Sequence, residues 1–358
     1  MRRKILWMHI SVLCVALFSA TQNPAQTQGP DKSLLDSIFG GQVKPDEPGF
    51  AMLIRYGGKD VYTRVDGVRD LRTKARIDAH TNFRLASFTK QFTAMAVMLL
   101  VRDGKLRYDQ TLTEVFPDFP AYGKDITIRS LLNHTGGLLD YEDLMKAAEK
   151  TKGPLWSSER QIQDDEVFGL LKKETKGKFA PGTSWSYSNS GYVVLGLIVA
   201  KASGQPYGDF LHAHIFSPLH MDHTILYQKG KNEITNRAYG HSKEGDALKE
   251  TDQSSTSATL GDGGIYSNLE DLAKWDDALR NRTLLTADEF SPALVPAKLK
   301  DGSPTVWPSA PNDDNLHPGN PSPTASAGFS IDLNQFLAIR AKITPECGIQ
   351  GAQWVFAP

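Results

Sequence analysis

The stretch GYVVLGLIVAKASG, residues 191–204, is largely apolar and ends on a glycine stop. Wound as a helix it has no broad polar face, so other elements must enclose it. That commits the chain to a layered fold with this helix inside. A second long helix, amphipathic, is expected from about Ser87 to Arg102, with Gly104 as its stop. A third spans 266–281, where Ser267 with Glu270 three residues on reads as a capping box. Shorter helices are read at 31–39, ended by Gly40-Gly41, and in DITIRSLLNHTGGL, ended by Gly136-Gly137. The only clear β signal precedes the long helices: FAMLIRYGGKDVYTRVDGVRD places two β-rich runs around Gly57-Gly58, a hairpin. A hairpin followed by a run of helices implies an α+β fold, and two strands do not make a stable sheet. More strands are therefore expected at the C-terminus. Residues 228–258 and 296–323, polar and rich in Gly, Pro and Ser, read as long loops, and no internal repeat is present.

Bulk properties narrow the partners. The 358 residues carry 40 Lys and Arg against 41 Asp and Glu, and no basic run exceeds three residues, so nothing points to nucleic acid. Arg2-Arg3-Lys4 precedes an apolar run from Ile5 to Phe18 and then small and polar residues, the pattern of a secretory signal. The apolar run is too short for a membrane span. Cleavage is expected near Ala20 or Ala25, giving a signal and leader over 1–25 and a periplasmic or secreted product without a stable membrane span. Cys14 lies in that leader, which leaves Cys347 alone, so neither a disulfide framework nor a cysteine metal site is expected.

Two segments carry chemistry. In FRLASFTKQFTAMAVMLL, Ser87 and Lys90 are three apart on a helix, hence on one face with side chains able to meet. A serine hydroxyl is a weak nucleophile until a neighbour takes its proton, and a lysine in a dry setting can assist. A helix N-terminus also favours negative charge developing on that oxygen. Ser-x-x-Lys is nonetheless frequent by chance, and Ser87 could be a simple cap. In FAPGTSWSYSNSGYVVLG, Tyr187-Ser188-Asn189 sits on a turn before the buried helix. Tyr187 could shuttle a proton, and Asn189, two residues on along an extended segment, could donate to a substrate amide. Read alone, this is an ordinary turn.

Together, in this order and about 100 residues apart, these motifs resemble the serine β-lactamase and penicillin-binding-protein superfamily. The resemblance is to the class C-like branch, with D-alanyl-D-alanine carboxypeptidase-like enzymes and family VIII esterases. LLNHTGGLLDY, PGTSWSYSNSGYVVLGLIVAKASGQPYGDFLHAHIFSPLHMDHT and GDGGIYSNLEDLAKW strengthen it. It implies an antiparallel sheet flanked by helices plus an all-helical region. It also implies Ser87 as acyl-enzyme nucleophile, Lys90 as its partner, Tyr187 as general base and Asn189 as substrate ligand. No cofactor is implied. The expected substrates are β-lactams, D-Ala-D-Ala or other peptidoglycan-type peptides, or small esters, and the expected state is a monomer. His212, His214, His220 and His223 cluster in sequence, but this stretch falls on a helix end and loop in the family, so a zinc site is not expected.

The family also places Lys/His-Thr/Ser-Gly on a late edge strand, where it meets the substrate carboxylate and completes an oxyanion hole. His134-Thr135-Gly136 has the letters but precedes Tyr187 and ends a helix, so it does not fill that role. Downstream of about residue 320 the resemblance stops. Ser322 to Ile331 can be encoded so that a one-base shift reads Val-Ser-Tyr-Gly-Phe-Gly-Trp-Phe-Leu-Asp, like the strand the family carries there. The same shift turns the segment from Glu346 into Val-Trp-His-Ser-Gly-Ser-Thr-Met-Gly-Phe-Arg-Thr, which contains the missing motif. The expected organisation is thus a hydrolase domain over 26–320, incomplete, and an out-of-frame tail over 321–358 in place of the C-terminal strands. Such a chain is expected to fold poorly and to lose acylation, or much of it.

Overall fold

The computed structural model describes residues 32–305. Helix α1 (Lys32–Phe39) leads into the hairpin β1 (Phe50–Tyr56) and β2 (Lys59–Asp66). Gly57 and Gly58 both have positive φ, 58° and 80°, the turn that matches the twist of a two-residue hairpin. The pleat then divides the strand. Phe50, Met52 and Ile54 face α1 and pack with Leu35, Phe39 and Tyr62, while Ala51 joins Ile77, Phe83 and Leu269 on the opposite side. The hairpin remains a two-stranded sheet, and both of its faces are covered.

Short strands follow at β3 (Val68–Asp70), β4 (Ala75–Arg76) and β5 (Phe83–Arg84), and a 3₁₀ turn, Ala86–Phe88, runs into α2 (Thr89–Arg102). Helices α3 (Leu112–Val115), α4 (Ile128–Leu132), α5 (Tyr141–Lys152) and α6 (Asp164–Leu171) form the helical region, then α7 (Asn189–Ser203) and α8 (Tyr207–Leu211). Strand β6 (Ile225–Leu226) and the hairpin β7 (His241–Glu244) and β8 (Ala247–Glu250) precede β9 (Ile265–Ser267), α9 (Leu269–Asn281) and α10 (Ala287–Phe290). Strand β9 is the middle of a three-stranded antiparallel sheet, with β5 on one side and β6 on the other.

Helix α7 is the hub anticipated from its composition: α2, α4, α6 and α8 all pack on it. Val193, Val194, Leu195, Ile198 and Val199 are fully buried. Each such aliphatic side chain contributes roughly 1.5–3 kcal/mol by leaving water. Phe92 of α2 completes the seam against Trp275 of α9, ring centroids 4.4 Å apart, and against Phe216 at 5.6 Å. These ring contacts join α2 to α9 and to the turn after α8.

Two local readings are corrected. The cap of α9 is Asn268, whose Oδ1 accepts the Asp271 N–H at 3.0 Å. Ser267 belongs to β9, and its hydroxyl lies 2.7 Å from that of Thr224. Residues 228–258 are not a plain loop, because β7 and β8 pair from His241–Glu250 to Glu244–Ala247 around Gly245, which has φ 63°. The segment expected to be out of frame lies outside the described residues. Among the described residues no helix is long and apolar enough to cross a membrane.

Candidate active site

The site forms where α2 and α7 begin. Ser87 is exposed on the 3₁₀ turn, and Lys90, one turn along, is buried. The preceding residue, Ala86, has φ 46°, a backbone region costly for a residue with a Cβ. Such strain is kept only where surrounding contacts impose it. Here Leu85 N–H bonds the Ile265 carbonyl of β9 at 2.8 Å, and the Thr89 hydroxyl accepts the Ile265 N–H at 3.2 Å. The strand clamps the turn from both sides and leaves Ser87 standing proud.

The Lys90 ammonium has three donors, and each finds an acceptor. Nζ lies 3.0 Å from Ser87 Oγ, 2.9 Å from Asn189 Oδ1 and 2.9 Å from the Asp262 carbonyl. The carbonyl comes from the GDGG segment, which reaches α7 closely because Gly261 has no side chain. A Cβ there would stand 2.2 Å from the Tyr192 carbonyl. That contribution is absent from the sequence-based site; its signal was the glycine run, which permits close backbone approach.

Asn189 is the first residue of α7, not part of an extended segment, and Ser188 is the cap, its hydroxyl accepting the Gly191 N–H at 3.0 Å. Tyr187 lies just outside the helix, and its hydroxyl is 2.7 Å from Ser87 Oγ. The Lys90 ammonium lies 5.0 Å from the centroid of the Tyr187 ring and 5.6 Å from that of Tyr192. A cation over a ring face is attracted to it. Ser87, Lys90, Tyr187 and Asn189, chosen from sequence, are thus brought into one constellation.

His134 belongs to it as well. Its ring is 4.8 Å from that of Tyr187 and 5.1 Å from that of Tyr192, and its Nδ1 accepts the Ser188 N–H at 3.1 Å. Burial, aided by the Lys90 charge, pushes its pKa down to about 4, so the ring is neutral near pH 7. The residue sits past the end of α4 with φ 59°, and no strand runs through it. The backbone of 134–137 supports the segment carrying Tyr187. The carbonyls of Gly137, Thr135 and His134 accept N–H groups from Lys178, Gly182 and Ser186 at 2.7, 2.8 and 3.0 Å.

The other sequence histidines are scattered. His212 and His214 lie on a π-turn after α8, the latter against Phe210, and the His223 N–H bonds Asp271. Among the described residues no group of three or more His, Cys, Asp or Glu side chains could hold a metal ion.

A serine flanked by a buried ammonium and a phenol thus stands beside β9, at the start of the helical layer. The chain belongs to the β-lactamase family: residues 35–326 match the family described as Beta-lactamase. It is 34% identical over 263 residues to "Penicillin-binding protein 4*" of Bacillus subtilis (strain 168), covering 70% of this chain and 56% of that one. The chain therefore spans a little over half the length of that curated relative. Among solved structures, a penicillin-binding protein from Bacillus halodurans superposes with TM-score 0.60 at 26% identity, covering 73% of this chain and 77% of the other. A D-amino acid amidase from Ochrobactrum anthropi SV3, complexed with L-phenylalanine, gives 0.60 at 27% identity, covering 72% and 71%.

Proposed function

We propose that this chain is an exported serine hydrolase that forms an acyl-enzyme on Ser87 with amide or ester substrates. The observation that carries the reading is the convergence of the Tyr187 hydroxyl, at 2.7 Å, and the Lys90 ammonium, at 3.0 Å, on one exposed serine oxygen. Acting as the phenolate, Tyr187 takes the Ser87 proton as Oγ attacks the carbonyl carbon, and as the phenol returns it to the leaving amine or alcohol when the tetrahedral intermediate collapses. Lys90 supplies the positive charge that holds both oxygens in place. The Ser87 N–H, at the start of a helical run, faces the developing oxyanion. A water then attacks the ester with Tyr187 again as base. Asn189, already engaged by Lys90, orients the ammonium and presents its amide N–H to the acyl side chain.

The substrate class is a β-lactam, a D-Ala-D-Ala-type peptide or a small ester, and the amidase relative makes amides of D-amino acids an added candidate. The leader over 1–25 directs the protein to the periplasm or the exterior, where it works as a monomer. A fluorescent penicillin or a phosphonate ester tests the reading. Covalent label that disappears in Ser87→Ala is the expected result, and a folded protein that takes no label overturns it.

A second reading rests on the two family motifs that emerge from 322–331 and 346–358 under a single one-base shift. On this reading the tail over 321–358 is out of frame, the late Lys/His-Thr/Ser-Gly strand is missing, and the chain is a catalytically impaired remnant or a peptidoglycan-binding pseudoenzyme. Loss of one oxyanion donor alone costs on the order of 3–4 kcal/mol in the transition state. Sequencing the DNA across codons 310–330 decides it. A native frame that leaves no room for the shifted codons removes the second reading.

A further inference from the structure

We propose that His134 is a positioning residue for Tyr187, acting as a neutral imidazole that stacks on the phenol ring while its Nδ1 accepts the Ser188 N–H. The inference rests on the hydrolase reading of Ser87 and Tyr187. Tyr187 is exposed and lies outside α7, so its own helix does not fix its ring. What brackets it is His134. The His134 carbonyl holds the residue before Tyr187, through Ser186 N–H at 3.0 Å, and its side chain holds the residue after, through Ser188 N–H at 3.1 Å. Between these two bonds the imidazole lies 4.8 Å from the Tyr187 ring, the planes 34° apart. One residue thus grips three consecutive positions, and the middle one carries the proton-transfer oxygen.

The grip works in one protonation state only. A Nδ1 that accepts an N–H must itself be unprotonated, so the proton of the neutral ring resides on Nε2. An imidazolium would set a Nδ1–H against the Ser188 N–H and release the bond. The charged and titratable groups facing the ring are Lys90 from α2, Tyr187 from the preceding segment and Tyr192 from α7. The lysine charge opposes protonation and so protects the grip.

Nitrogen-15 spectra of the histidine rings in the full chain, recorded from pH 4 to 8, test the tautomer directly. The expected result is an unprotonated Nδ1 on His134 at neutral pH, with the Ser188 amide shifting in step as the ring titrates at the acid end. Two variants separate the ring from the acceptor. His134→Phe keeps a stacking surface and loses the acceptor. It is expected to weaken Ser188 amide protection against exchange by about tenfold, and to slow the saturated rate of acylation by fluorescent penicillin about tenfold with little change in half-saturation. His134→Asn retains an acceptor and is expected to restore most of the Ser188 protection while remaining slow. A wild-type ring with Nδ1 protonated overturns the proposal, as does a folded His134→Phe with unchanged Ser188 protection and acylation rate. If the wild type takes no label the hydrolase reading falls, and ring tautomer and Ser188 protection still decide whether His134 grips the segment. Should His134→Phe fail to fold, the wild-type spectra decide alone.

Discussion

The Lys90 ammonium and the Asn189 side-chain oxygen are 2.9 Å apart, and this contact ties the start of α2 to the start of α7. With Ser87 Oγ and the Asp262 carbonyl it saturates the three donors of a buried cation. A buried ammonium that loses an acceptor keeps its desolvation cost without the compensation. Asn189→Leu preserves bulk and removes the acceptor, so it is expected to lower stability by about 1–3 kcal/mol. Calorimetry should register a drop in Tm of several degrees, and an unchanged Tm would mean that Lys90 finds another partner without cost.

Tyr187→Phe separates chemistry from folding. The hydroxyl makes the 2.7 Å contact to Ser87 and the ring is exposed, so Tm should stay close to that of the parent. Removal of a general base is expected to slow acylation about 10²–10⁴-fold. A variant that labels at the parental rate rules Tyr187 out as the base.

Gly261→Ala puts a methyl group 2.2 Å from the Tyr192 carbonyl and 3.1 Å from the Gly196 nitrogen, both backbone atoms of α7 that cannot swing aside. The expected cost exceeds about 3 kcal/mol, in the range reserved for overpacked or strained positions. Chemical denaturation measures it. A loss below about 1 kcal/mol would show that α7 shifts freely relative to the GDGG segment.

The pH dependence of stability follows from His134. Its folded pKa, about 4, lies below the ordinary value of 6.5, so between these values the unfolded chain binds the proton more readily. The stability held by the neutral ring is complete above pH 6.5 and is lost progressively as pH falls toward 4. After allowance for the partly exposed ring the loss is on the order of 2 kcal/mol. Denaturation midpoints at pH 7 and pH 4.5 in the parent and in His134→Phe isolate it, because the variant should lack this component.

Arg55 clasps the hairpin to α9. It meets Asp276 and Asp277 at 2.9 Å each, Asp60 at 2.7 Å and the Ala273 carbonyl at 2.7 Å. Its side chain is mostly buried, so the cluster is screened less than a surface pair. Arg55→Met keeps the stem and removes the fork, with an expected loss of about 1–3 kcal/mol and faster amide exchange in β1 and β2 than in α7. Uniform exchange throughout the chain would count against a local clasp.

Helices α1, α2, α4, α7 and α9 and the first hairpin were legible from sequence because their signals are local, whereas α3, α5, α6, α8 and α10 were not read. Gly57-Gly58 selects the turn, and the unbroken apolar run of α7 has no stable place except inside. The four site residues were legible as pairs of motifs, and their convergence was carried by the family resemblance, since no local pattern sets the distance from Ser87 to Tyr187. Strands β5, β6 and β9 span two or three residues each and carry no periodicity, so only long-range pairing defines them. The α9 cap was misplaced by one residue because Ser267 and Asn268 are both good caps, and pairing of Ser267 into β9 settles the choice. His134 was set aside for lacking the late-strand position. Its actual place, beneath Tyr187, depends on a tertiary contact between segments about 50 residues apart.

The three backbone bonds that stitch residues 178–186 to 134–137 have a practical meaning for anyone wishing to redesign the surroundings of Tyr187. Side-chain replacement does not remove a main-chain bond, and at Gly137 and Gly177 any larger residue collides with carbonyls of the opposite strip. Mutant libraries spread over these two strips would consist largely of damaged folds, with few altered preferences among the survivors. This pair of strips behaves as a fixed jaw beneath Tyr187, and any redesign has to be made in the side chains around it.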